Sequence, residues 1–123
     1  MPDDDALGVA MTPNALAKCC RAASQPLSPL AVTQLYLNCQ RFTAITEAIA
    51  RYPAAESLWL ERNRIRVVEH IDKLKELKTV FLHGNYIESV GTCFQALRHL
   101  RVLTLSSNRL TCVSHMPPAA IAA

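Results

Sequence analysis

The sequence predicts an α/β solenoid of about four repeats, each 22–23 residues long, with parallel strands on the concave face and a capping helix at the N-terminus. Three observations lead to this fold class. Residues 55–68 fit the frame L-x-x-L-x-L-x-x-N-x-I, and residues 77–87 and 100–110 repeat that frame. A weaker copy occupies residues 32–42. Within each copy the apolar residues alternate, which buries one face of a short strand and leaves the other face outside.

The asparagine position of the frame sets the period. Gln40, Asn63, Asn85 and Asn108 occupy it and are spaced 23, 22 and 23 residues apart. This is the pattern of a leucine-rich repeat, whose single units cannot bury their own apolar faces and therefore stack. A side-chain amide can bond backbone groups that a tight turn leaves without partners. We interpret Asn63, Asn85 and Asn108 as a structural ladder and not as ligand-binding residues.

The segments that return from one strand to the next are predicted to be short helical turns. Ile71, Leu74 and Leu77 are three residues apart with charged residues between them, which favours a turn of helix or 3₁₀ helix with a solvated convex face. The third return is predicted to place Cys93, Leu97 and Leu100 toward the core.

The chain divides into four predicted segments. Residues 1–11 are acidic and poor in apolar residues, so they are predicted to be disordered. Residues 12–30 form a capping helix and linker, because Thr12 suits the N-cap and Pro13 the first helical turn. Residues 31–113 hold the repeats, and residues 114–123 form a disordered tail with two prolines. The last repeat is then expected to lie open, so the chain is either shortened relative to longer relatives or completed by self-association.

The composition of the chain limits the partners and cofactors that its function can involve. The chain is 50% apolar and has a net charge of +3, which favours a folded domain and indicates neither a nucleic-acid nor a membrane partner. It has no apolar run of membrane length and no secretory signal, so a cytoplasmic location is expected. The five cysteines are odd in number and lack C-x-x-C spacing, which predicts reduced thiols without a disulfide framework or zinc site. We therefore expect no cofactor and no metal.

No catalytic constellation emerges from the spacing. His83 lies at an outward strand position and could act as a base, but no nucleophile and orienting carboxylate are spaced to join it. Gly8, Gly84 and Gly91 are scattered and form no phosphate-binding loop. The sequence therefore predicts a protein that is not an enzyme.

The outward positions of the strands are the best candidates for binding a protein partner. Parallel strands in register would bring Tyr36, Trp59 and Phe81 into one column on the concave face, followed by Thr104. The column beside it includes Glu61 and His83. Aromatic anchors with a polar rim are typical of protein-binding hot spots. The alternative is that the three rings only pack against one another or against a cap.

A second column of candidate binding residues follows the asparagine position. It contains Arg41, Arg64, Tyr86 and Arg109. The three arginines could meet an acidic protein partner, although charges in loops are also commonly just solvated.

Residues 11–113 resemble the leucine-rich-repeat axonemal dynein assembly factors (the dynein axonemal assembly factor 1 family). The likeness lies in the helix segment MTPNALAKCCR, in LYLNCQRFTAI, and in the successive segments LWLERNRI and VFLHGNYI. It implies a non-enzymatic cytoplasmic factor that helps preassemble the dynein arms of cilia or flagella with chaperones. The repeats themselves are shared with phosphatase-regulatory and spliceosomal leucine-rich-repeat proteins, which are the alternatives.

Overall fold

The computed structural model describes residues 8–26 and 28–110 and the backbone of residues 121–122. One α-helix, α1 (Pro13–Ala22), precedes the repeats. The strands are β1 (Gln34–Tyr36), β2 (Ser57–Trp59), β3 (Thr79–Phe81), β4 (Val102–Thr104) and β5 (Ile121–Ala122). They form one parallel sheet in the order β1-β2-β3-β4-β5. The predicted leucine-rich-repeat solenoid is confirmed.

The strands β1 to β4 have three residues each, and each of the four buries its middle residue. Leu35, Leu58, Val80 and Leu103 are fully buried and face each other in register across the first four strands. The neighbouring residues of each strand point to the concave face. The short strands thus face the core on one side and form the concave surface on the other.

A 3₁₀ helix at Pro29–Ala31 leads into β1, and the three returns between the first four strands contain 3₁₀ helices at Glu47–Arg51, Ile71–Lys73 and Cys93–Ala96. Ile71, Leu74 and Leu77 are fully buried, as predicted. The prediction for the third return was partly wrong, because Phe94 enters the core while Cys93 is only half-buried. The Cys93 thiol instead donates to the Val68 carbonyl over 3.6 Å.

The N-terminal cap contains the predicted helix, but the ordered chain begins before the predicted start at residue 12. The Thr12 hydroxyl caps α1 by accepting from the Ala15 N–H over 3.1 Å. Residues 1–11 were predicted to be disordered. Residues 1–7 lie outside the described residues, but the prediction is wrong for residues 8–11. The Val9 N–H donates to the Arg41 carbonyl over 2.7 Å, and Met11 is only 2% exposed. Because Met11 packs in the core, it holds this part of the chain against the first repeat.

The other end also differs from the prediction. Most of the predicted disordered tail falls on residues 111–120, which lie outside the described residues. Ile121 and Ala122, however, form β5 and pair with Leu103 and Thr104 of β4. Leu103 is fully buried and Leu105 is 8% exposed. The fourth repeat is therefore not open at these two leucines.

Candidate protein-binding surface

A ladder of asparagine amides holds the concave face in place. The Asn63 Oδ1 atom accepts from the Gln40 and Phe42 N–H groups, both over 3.0 Å. Its Nδ2 atom donates to the Leu37 and Leu60 carbonyls, both over 2.9 Å. One amide thus bonds backbone on two successive repeats, which fixes their relative position.

The next two asparagines repeat this arrangement. Asn85 accepts from Ile65 over 3.1 Å and donates to Leu60 over 2.9 Å. Asn108 accepts from Ile87 over 2.9 Å and donates to Leu82 over 2.8 Å. Asn63 and Asn85 are buried, and their amides are engaged with backbone groups. These contacts agree with the structural role that the sequence predicts.

The residue before each asparagine position adopts a left-handed conformation. Its φ is 58° at Cys39, 60° at Arg62, 74° at Gly84 and 58° at Ser107. This geometry lets the chain leave the strand within two residues and bring the next amide inward. Of these four residues, only Gly84 indicates the left-handed conformation in the sequence, because glycine adopts it without steric cost.

The three predicted aromatic residues form one continuous stack on the concave face. The Tyr36 and Trp59 ring centroids are 4.4 Å apart with an interplanar angle of 15°. The Trp59 and Phe81 centroids are 5.6 Å apart at 26°. Tyr36 is 40% exposed, and the other two rings are partly exposed. We call Tyr36, Trp59 and Phe81 the aromatic column.

The stack gives the rings a structural role that the sequence left as an alternative. Aromatic pairs contribute about 0.5–1.5 kcal/mol beyond the area they bury. Because β2 lies between β1 and β3, Tyr36 covers one face of the Trp59 ring and Phe81 covers the other. The rings therefore stabilise one another while their remaining surface is open to a partner.

His83 and Glu61 flank the column, and their side chains are held differently. The His83 Nδ1 atom lies 2.8 Å from the Thr104 hydroxyl, and the imidazole meets Phe81 edge-on with centroids 6.4 Å apart. The Glu61 Oε1 atom is buried and has no hydrogen-bond partner among the described residues. Sequence reasoning placed both residues beside the column but could not reveal this unmatched acceptor.

The arginine column is less uniform than predicted. The Arg109 guanidinium carbon lies 4.5 Å from the centroid of the Tyr86 ring, which is a cation–π contact. Arg41 and Arg64 are half-buried, and each takes part in another intramolecular interaction. None of the three predicted arginines is therefore a free, fully solvated charge.

The titratable groups of the described residues show no arrangement typical of a catalytic or metal site. No group of three or more His, Cys, Asp or Glu side chains is placed to bind a metal within residues 8–26 and 28–110. Burial raises the pKa of Cys19, Cys20 and Cys93, which keeps these thiols protonated at neutral pH. All three, and the exposed Cys39, are free thiols, while Cys112 lies outside the described residues. Within the same part of the chain no helix is long and apolar enough to cross a membrane.

Comparison with known proteins agrees with the repeat architecture. The family model described as Leucine Rich Repeat matches residues 99–122. The chain is also 32% identical over 91 residues to Toll-like receptor 5 of Homo sapiens. That match covers 66% of this chain but only 11% of the receptor. Both findings concern the repeats, whose usual role is to present a surface for other proteins.

Proposed function

We propose that this chain is a non-enzymatic protein–protein interaction module that anchors its partner on the aromatic column. The observation that carries the proposal is the stack of Tyr36, Trp59 and Phe81 on the concave face, with Tyr36 40% exposed. Large aromatic side chains that bury on binding contribute most to many interfaces. Because stacking already restricts these rings, little conformational entropy is lost when a partner covers them.

A matched pair of tyrosines tests the location of the interface. Tyr36 in the column and Tyr86 on the rim are both 40% exposed. Tyr36→Ala is expected to weaken partner binding by at least tenfold, and Tyr86→Ala is expected to have much less effect. Both variants should keep the wild-type thermal transition to within a few degrees. Equal weakening by the two variants, or none by Tyr36→Ala, would place the interface elsewhere.

The finer proposal is a role in cytoplasmic preassembly of axonemal dynein arms. Its support is the resemblance of residues 11–113 to the dynein assembly factors, carried by the segments LYLNCQRFTAI, LWLERNRI and VFLHGNYI. In this proposal the module binds dynein chains and chaperones before the arms are transported to the cilium or flagellum.

Affinity capture from a ciliated cell distinguishes this role from the alternatives. The immobilised protein is expected to recover axonemal dynein heavy chains and chaperones, and the Tyr36→Ala variant is expected to lose them. Recovery of a phosphatase catalytic subunit would instead favour a phosphatase-regulatory subunit, and recovery of spliceosomal proteins would favour a spliceosomal one. Either result would replace the dynein proposal while leaving the interaction surface in place.

A further inference from the structure

Glu61 has a defined place beside the aromatic column. It follows β2 two residues after Trp59, so both side chains lie on the concave side. The Cys39 N–H donates to the Glu61 carbonyl over 3.2 Å, and the Arg62 N–H donates to the His83 carbonyl over 3.0 Å. These backbone bonds keep Glu61 in register between Asn38 of the first repeat and His83 of the third.

One oxygen of the Glu61 carboxylate lacks a donor among the described residues. Its Oε1 atom is buried without a hydrogen-bond partner among residues 8–26 and 28–110. The Nδ1 atom of His83, which follows the next strand at the equivalent position, lies 2.8 Å from the Thr104 hydroxyl. A buried carboxylate oxygen without a donor is unfavourable, and an ionised carboxylate can only accept. A donor outside the described residues would relieve this once the half-buried side chain turns that oxygen toward the surface.

The charge of the surrounding surface favours a cationic donor. Glu61 is the one acidic residue at the concave positions of the described strands and the residues that follow them. The other such residues are Gln34, Tyr36, Asn38, Ser57, Trp59, Thr79, Phe81, His83, Val102, Thr104 and Ser106. At these concave positions Glu61 is therefore the one side chain complementary to a positive charge.

The geometry of the stack limits how that charge can approach. Both faces of the Trp59 ring are covered, so at the middle of the column a partner meets the edge of a ring and not its face. Ring edges carry partial positive charge, so they repel a cation but pack well against CH₂ groups. Arginine has such an apolar stem and a planar head that bonds a carboxylate through two N–H groups.

We propose that the concave surface recognises an arginine of its protein partner, whose stem packs on the aromatic column and whose guanidinium bonds the Glu61 carboxylate. This inference rests on the proposed function and specifies the partner's chemistry. It assigns a partner group to the one carboxylate at the concave positions of the described strands.

The test uses a phage-displayed random peptide library panned on the wild-type protein. Selected peptides that require Tyr36 are expected to be enriched in arginine. Each is then titrated against the protein while the emission of Trp59, the single tryptophan of the chain, is recorded. Replacing the arginine by neutral citrulline of similar shape is expected to weaken binding at least tenfold.

Two protein variants of equal charge complete the test. Glu61→Gln should remove most of the preference for arginine over citrulline. Glu47→Gln, which removes an exposed carboxylate from a convex return, should keep it. Peptides that require Tyr36 but show no arginine enrichment, or that keep the arginine preference with Glu61→Gln, would overturn the inference and leave the proposed function standing. Selected peptides that are insensitive to Tyr36→Ala would overturn both.

Discussion

Replacing Asn63 by Ala tests whether the amide ladder holds the solenoid together. The change removes four hydrogen bonds of 3.0 Å or shorter to Gln40, Phe42, Leu37 and Leu60. The Leu60 carbonyl keeps the bond from Asn85, and the Gln40 N–H is near enough to the surface to take a water. The buried Phe42 N–H and Leu37 carbonyl lose the partner that Asn63 supplies.

The expected loss follows from those two buried groups. Each buried polar group without a partner costs about 1–3 kcal/mol, so Asn63→Ala should lower the free energy of unfolding by about 2–6 kcal/mol. This is a large part of the 5–15 kcal/mol that is typical of a whole domain. Asn63→Asp should also destabilise, because a carboxylate oxygen would then face the Leu37 and Leu60 carbonyls.

Urea denaturation followed by Trp59 emission measures these losses. Asn38→Ala is the control, because among the described residues the Asn38 amide makes only a 3.9 Å contact, with the Cys39 sulfur. It should change the free energy of unfolding by less than about 0.5 kcal/mol. A value for Asn63→Ala within 1 kcal/mol of the wild type would show that water replaces the amide, and the ladder would then not be what joins the repeats.

Three further predictions concern stability. Trp59→Ala should lower the free energy of unfolding by about 1–3 kcal/mol in the same urea experiment, because it removes two ring contacts. Leu60→Ala should lower it by about 2–5 kcal/mol, because Leu60 is fully buried. A larger loss for Trp59→Ala than for Leu60→Ala would mean that the aromatic column is chiefly structural. Gly84→Ala should lower the free energy of unfolding by about 1–2 kcal/mol because φ is +74° at this position, and Gly84→Asn should lower it less because asparagine tolerates this conformation. Equal melting temperatures for Gly84→Ala and the wild type would show that alanine is not strained there. Burial raises the pKa of Tyr52 from 10.0 to about 12, so the folded protein holds this proton more tightly than the unfolded chain. The free energy of unfolding should therefore fall as pH rises from about 10 to about 12. Tyr52→Phe should reduce that fall, and a variant with the same alkaline stability profile as the wild type would contradict the prediction.

The repeated spacing was enough to predict the strands, the ladder and the column. A period of 22–23 residues places equivalent positions in register, so that Tyr36, Trp59 and Phe81 had to meet once the strands were parallel. The core of the third return was missed for a local reason. Cys93 and Phe94 are adjacent apolar residues, and a small shift of a 3₁₀ turn decides which of them points inward.

Other features depend on geometry that residue types do not express. The left-handed conformations of Cys39, Arg62 and Ser107 are imposed by the ladder, against the preference of these side chains. The unmatched Glu61 oxygen and the contact of His83 with Thr104 depend on side-chain rotamers, which the sequence pattern does not specify. These details determine the chemistry of the surface, and a linear pattern of apolar residues carries no information about them.

The aromatic column has a consequence for how such a surface could change by descent. Each ring is supplied by one repeat, and the distance between rings is set by the spacing of parallel strands, about 4.8 Å. Duplicating one repeat would lengthen the column by one side chain, and deleting one would shorten it, without rebuilding the others. The length of the binding surface can therefore be altered in whole units by unequal recombination, while point substitution adjusts the chemistry of each unit separately.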